Sequence, residues 1–252
     1  METTDLPPEE RWGPFATIGL AVLIMLAFVG VQQLVAIAYS GFLATPEAES
    51  MTIEQLLSAP YLLATATYAS GVVCTLLVFG LVSIKSSGKV RSYLALRLFR
   101  GRDLAVWLAV YVALSAVMEF LARWLDRPAV PEFMELLFRT ESGLWSLFVA
   151  VIVIAPWTEE LIFRGFWFQG HSGGRWGSII AIVLPGAAWA LIHAAQYDWF
   201  DLLQVFFVAL VLGGARLQSR SLFLPVLLHA LNNAIASVLT WLYVHGALPS
   251  WM

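Results

Sequence analysis

An all-α, polytopic membrane bundle of about seven spans is the fold class this sequence predicts, and three observations predict it. The 252 residues are 60% hydrophobic and only 12% charged, with a mean hydropathy of +0.80. A soluble domain runs nearer ~45–50% apolar and ~25% charged, so the natural solvent of this chain is a bilayer. Apolar residues come in runs of about 20, the length that carries a helix across a ~30 Å hydrocarbon core. Those runs are continuous rather than alternating, which points to helices and away from a β-barrel.

The spans fall near 15–41, 60–84, 104–123, 144–169, 177–197, 199–215 and 221–244. The first follows an acidic, proline-bearing start, Met1 to Trp12, that lacks the basic region of a secretory signal, so it reads as a retained span. After the second comes a basic stretch with Lys85, Lys89, Arg91, Arg97, Arg100 and Arg102. Placing that stretch in the cytoplasm also brings Arg11, Arg164, Arg175, Arg216 and Arg220 to the same side. Arg123, Arg127 and Arg139 then lie outside, beside the acidic first outer loop with Glu47, Glu49 and Glu54. The N-terminus is predicted cytoplasmic and the C-terminus external. Within the basic stretch, residues 90–100 read either as an amphipathic helix along the inner interface or as an ordinary loop. Residues 128–141 predict a short outer helix opened by Pro128 and Pro131. The sixth span is the shortest.

Trp12, Trp107, Trp124, Trp145, Trp176, Trp199, Trp241 and Trp251 sit at or near span ends, as interfacial anchors do. No repeat or linker divides the chain, so residues 1–252 read as one integral-membrane domain. Cys74 alone forms no disulfide framework. A net charge of −3 without a polybasic surface argues against a nucleic-acid partner.

Polar residues inside the later spans carry the functional argument. The segments are Pro156-Trp157-Thr158-Glu159-Glu160-Leu161-Ile162-Phe163-Arg164, Trp189-Ala190-Leu191-Ile192-His193 and His229-Ala230-Leu231-Asn232-Asn233. Each ionisable group in a span costs ~2.5–3.5 kcal/mol to insert. Residues four apart share a helix face, so Glu160 can pair with Arg164 while Glu159 turns ~100° away, toward a cavity. Pro156 removes a backbone hydrogen bond one turn earlier, and a kink there opens room for water. Three spans thus offer a carboxylate, two imidazoles and an amide. That set suits peptide hydrolysis: a carboxylate as general base, an imidazole to orient water or relay a proton, and an imidazole with an amide to hold an oxyanion. Trp157, Trp167 and Trp189 lie near the constellation and are candidates to line a substrate groove.

The order Glu-Glu-x-x-x-Arg, aromatic-x-x-x-His, His-x-x-x-Asn resembles the CAAX protease and bacteriocin-processing (Abi) family of intramembrane glutamic proteases. The resemblance covers roughly residues 145–240, within a protease core of approximately 144–244; the first three spans match only in being hydrophobic. It implies that Glu159 acts with His193 to activate water. It implies that His229 and Asn233 form the oxyanion site, with Glu160 and Arg164 in support. It implies a membrane-associated protein or peptide substrate, cut near its C-terminal tail or leader, and a prokaryotic plasma-membrane setting. Two departures stand out. The middle motif opens with Trp189 where the family usually has phenylalanine, which is read as a matter of packing or substrate shape. There is also little room for the further span that prenyl-protein members carry after the last motif.

Depth along the spans does not by itself bring the site together. Counted at ~1.5 Å per residue, Glu159 and His229 fall toward the cytoplasmic side and His193 toward the outside. Two other functions stay open. Glu159, His193 and His229 could serve as zinc ligands, although the chain has no His-Glu-x-x-His helix and the primary expectation is no cofactor. Polar intramembrane residues also line transporters and immunity scaffolds that hold a peptide without cutting it. Oligomeric state leaves no mark in the sequence.

Overall fold

The computed structural model describes residues 6–42, 59–140, 142–171 and 173–247. Met1, Glu47, Glu49, Glu54 and Trp251 lie outside them. Nine helices define the bundle among the described residues: α1 (Pro14–Phe42), α2 (Pro60–Lys85), α3 (Val90–Tyr93), α4 (Gly101–Trp124), α5 (Glu132–Phe138), α6 (Leu144–His171), α7 (Gly174–Leu191), α8 (Trp199–Ser219) and α9 (Phe223–Val244). All except α3 and α5 are long and apolar enough to cross a membrane. Their outward faces confirm lipid as the solvent. Leu26, Leu34, Leu76, Phe120 and Leu191 are each 62–69% exposed, a cost no aqueous surface would tolerate in such number. The chain is an integral membrane protein. Trp124, Trp145, Trp176 and Trp199 stand exposed at helix ends, where anchors belong.

α6 is the central rod. Leu161, Ile162, Phe163, Phe166 and Phe168 are buried against α1, α2, α7 and α8. It is not a uniform α-helix: Ala150–Ile154 and Leu161–Trp167 are wide π-turns that flank the α-helical Ala155–Glu160. Such turns mark functional segments of helices. The first has a local cause. The Ala155 N–H donates to the Ala150 carbonyl, five residues back. Continuing that pattern would require an N–H from residue 156, and Pro156 has none. The Val151 carbonyl is thereby released, and Asn233 Nδ2 of α9 donates to it at 2.8 Å.

Three expectations gain detail. Residues 90–100 hold one helical turn, Val90–Tyr93, and otherwise run as a loop tied to the protein core. Tyr93, Leu94 and Ala95 are buried, the Leu222 N–H donates to the Ala95 carbonyl, and Arg97 Nε donates to the Arg220 carbonyl at 2.6 Å. The stretch is a strap that locks the α8–α9 turn to the core. Arg164 and Arg216 are buried guanidinia rather than exposed charges. Arg216 donates through Nε to the Arg164 carbonyl at 3.0 Å and its guanidinium sits over Phe168. Finally, the fifth span stops at Leu191 rather than 197, and the sixth runs on to Ser219. Asp198 caps α8 by accepting from the Phe200 and Asp201 N–H groups, which fixes the turn between the two helices.

Candidate active site

A cavity of about 300 Å³ opens in the half of the bundle capped by α5. Chain alternation puts this end opposite the basic stretch that follows α2. One wall is apolar, from Met25 and Phe28 of α1 and Phe133, Met134 and Phe138 of α5. The other wall is polar and carries Glu159, Trp189, His193, Tyr197, His229 and Asn233.

The adjacent glutamates part as their spacing predicts. Glu160 is fully buried, and its Oε1 accepts from Arg164 Nη1 at 2.8 Å. The same oxygen bonds His229 Nδ1 at 3.0 Å. Arg164 also donates from Nη2 to the Ala209 carbonyl at 3.1 Å and lies over the Trp189 ring, 5.0 Å from its centre. Glu159 keeps 14% of its side chain exposed and lines the cavity. Its Oε2 accepts from the Trp189 indole at 2.5 Å and stands 3.9 Å from His229 Nε2. His229 therefore lies between the two carboxylates. Because an ionised carboxylate only accepts, Nδ1 carries a proton toward Glu160, and Nε2 is the atom aimed at Glu159 and the cavity.

The depth mismatch resolves through the short fifth span. Past Leu191 the chain turns, and His193 Nδ1 bonds the Trp189 carbonyl at 2.8 Å instead of extending outward. His193 and His229 both pack edgewise on the Trp189 ring, at 5.3 and 5.1 Å between centres. His193 has no ion pair with Glu159 among the described residues; it joins the cluster through the indole and through the shared cavity.

Asn233 is held by both ends of its amide. Nδ2 reaches the Val151 carbonyl, while Oδ1 accepts from Asn232 Nδ2 at 3.0 Å. Asn232 is fixed in turn by the Tyr111 hydroxyl at 2.9 Å. One N–H of Asn233 remains uncommitted.

Of the three candidate groove tryptophans, only Trp189 lines the cavity. Trp157 points to α2, donating to Thr75 Oγ1 at 3.2 Å, and Trp167 is buried against Phe163. Their positions on α6 turn them off the face that carries Glu159. Nor is Trp189 only a packing residue, since its N–H binds the exposed carboxylate. Tyr197, Asn232 and Tyr111 were not anticipated. Tyr197 follows His193 by four residues and stacks on it at 6.0 Å, a pairing that spacing could have flagged. Burial, then the nearby Asp201 and Glu159 charges, push its phenol up to about 12. Asn232 was hidden beside the better motif position; Tyr111 carried no sequence signal.

Residues 141–235 match the family described as type II CAAX prenyl endopeptidase Rce1-like. The matched segment is similar to an Rce1-like domain. It spans α6 to the middle of α9 and so contains both glutamates, Arg164, both histidines and Asn233. An Escherichia coli protein described as an uncharacterized 24.3 kDa protein is 31% identical over 127 residues, covering 49% of this chain and 58% of that protein. No solved structure matches the chain. The matched segment holds the polar wall of the cavity, while α1, α2 and α5, outside it, supply most of the apolar wall.

Proposed function

We propose that this protein is an intramembrane endopeptidase that hydrolyses a peptide bond of a membrane-associated protein or peptide, with Glu159 as general base. The observation that carries the reading is a partly exposed carboxylate in a 300 Å³ cavity whose wall also holds His193, His229 and Asn233. Glu159 takes a proton from water as the water oxygen bonds the scissile carbonyl carbon and the carbonyl electron pair moves onto oxygen. His193 orients that water across the cavity. The free N–H of Asn233 donates to the oxyanion, and His229 Nε2 joins it in the imidazolium form. Before attack, ionised Glu159 and Glu160, Arg164 and imidazolium His229 sum to zero charge, which suits a water-poor site. Collapse breaks the C–N bond as the proton held by Glu159 passes to the leaving nitrogen.

The apolar wall from α1 and α5 supports an apolar segment or lipid-bearing tail as substrate. The N-terminus is taken as cytoplasmic, so the cavity opens externally in a prokaryotic plasma membrane. The mechanism proposed uses no metal; Glu159, His193 and His229 as zinc ligands is the competing reading, and the chelator arm of the test separates the two. The test compares protein termini by mass spectrometry in cells carrying wild-type or Glu159→Gln protein. Loss of specific cleaved termini in the variant, with wild-type activity surviving strong chelator, is expected. Unchanged termini in Glu159→Gln cells would reject the assignment.

A further inference from the structure

We propose that Trp189 is a positioning residue: its indole N–H holds Oε2 of Glu159 and leaves Oε1 as the oxygen that bonds the attacking water. For its activity consequences this rests on Glu159 as base; the hydrogen bond itself does not. The indole is 3% exposed, and its N–H is 2.5 Å from Oε2. Three neighbours prevent it from turning. His193 and His229 abut the ring edgewise, and the Arg164 guanidinium lies over it. A cation near an aromatic face draws charge from the ring, which strengthens the N–H as a donor. The donor is therefore fixed before substrate arrives, and a carboxylate bonded this way cannot rotate out of the cavity. The indole also couples the two histidines to one carboxylate, which no direct contact between His193 and Glu159 achieves.

The spectroscopic test needs no substrate. In ¹⁵N–¹H spectra of the detergent-solubilised protein, one indole resonance should lie far downfield, vanish in Trp189→Phe, and move upfield in Glu159→Gln, where the charged acceptor becomes neutral. Indole resonances that do not respond to Glu159→Gln would overturn the proposal. The kinetic test replaces Trp189 with 3-benzothienylalanine, which keeps the ring shape and exchanges N–H for sulfur, so that loss of packing does not confuse the result. A hydrogen bond to a charged group predicts about a 10- to 100-fold fall in kcat, with KM changed less than about 3-fold. Wild-type kcat in that variant would overturn the proposal while leaving Glu159 as base; no cleavage by wild-type protein would instead remove the protease reading and leave the spectroscopic result to decide the hydrogen bond.

Discussion

Neighbouring glutamates with opposite duties should respond oppositely to mutation, and the Glu160–Arg164 pair allows the difference to be sized. Both side chains are within 2% of complete burial. Arg164→Met leaves the Glu160 carboxylate with His229 as its remaining partner and takes one of two donors from the mid-helix Ala209 carbonyl. Breaking a buried pair costs about 3–5 kcal/mol. A net loss of about 4 kcal/mol follows. Glu160→Gln keeps the shape and an amide oxygen for Arg164 but removes the charge that balances the buried guanidinium, so about 3 kcal/mol is expected by the same reasoning. Removing both charges in Glu160→Leu/Arg164→Met should recover much of the loss, with a coupling of about 2–3 kcal/mol. Glu159→Gln, whose amide oxygen still accepts from the indole, should lose under about 1 kcal/mol. The assay is equilibrium unfolding in mixed micelles, titrated with a denaturing detergent and followed by far-UV circular dichroism. Single-variant losses below about 1 kcal/mol, or losses that simply add, would refute the claim that Glu160 and Arg164 are one structural unit.

Asn233→Ala should lower kcat by about 10²–10³-fold as an oxyanion donor disappears, and cost about 1–3 kcal/mol because the Val151 carbonyl loses its partner; initial rates and the same unfolding titration measure the two effects. Gly71→Ala brings a Cβ to 2.7 Å from Ile154 Cγ2 and 3.0 Å from Thr158 Oγ1, directly against the segment that carries Glu159. Overpacking there should cost about 1–3 kcal/mol and reduce cleavage together with it. Tyr197 titrates at about 12 in the folded protein against 10.0 for a free phenol, so the unfolded chain sheds this proton first. The stability it contributes is whole below pH 10.0 and is lost as pH rises toward 12, so a plot of unfolding midpoint against pH should be shallower over that window in Tyr197→Phe than in wild type.

Much of the site was legible because helices obey fixed angular spacing. The four-residue spacing of Glu160 and Arg164 made their pairing foreseeable, and the one-residue step from Glu159 to Glu160 made their separation foreseeable. Pro156 signalled a broken hydrogen-bond ladder before Asn233 was seen to use the released carbonyl. What stayed hidden depended on neighbours remote in the chain. His229 could be assigned to the oxyanion from its motif, but not to the space between two carboxylates, because that requires the register of α9 against α6. The likeness of tryptophan to phenylalanine in size concealed the N–H, which matters only where an acceptor lies within reach. Residues 90–100 left an interfacial helix and an ordinary loop both open, because their mix of basic and apolar side chains says nothing of the α8–α9 turn they strap down.

Sequence by itself determined the solvent, the number of spans and which side chains are too polar to be there without use, since hydropathy and insertion cost are properties of single residues and short runs. Tertiary structure decided the rest. It ended α7 at Leu191 so that His193 turns back to the indole, set π-turns on either side of Glu159, and put His229 between the two carboxylates. Those outcomes hang on how close separate helices approach, to within a few tenths of an ångström, and no periodicity along one strand of sequence encodes a distance between two.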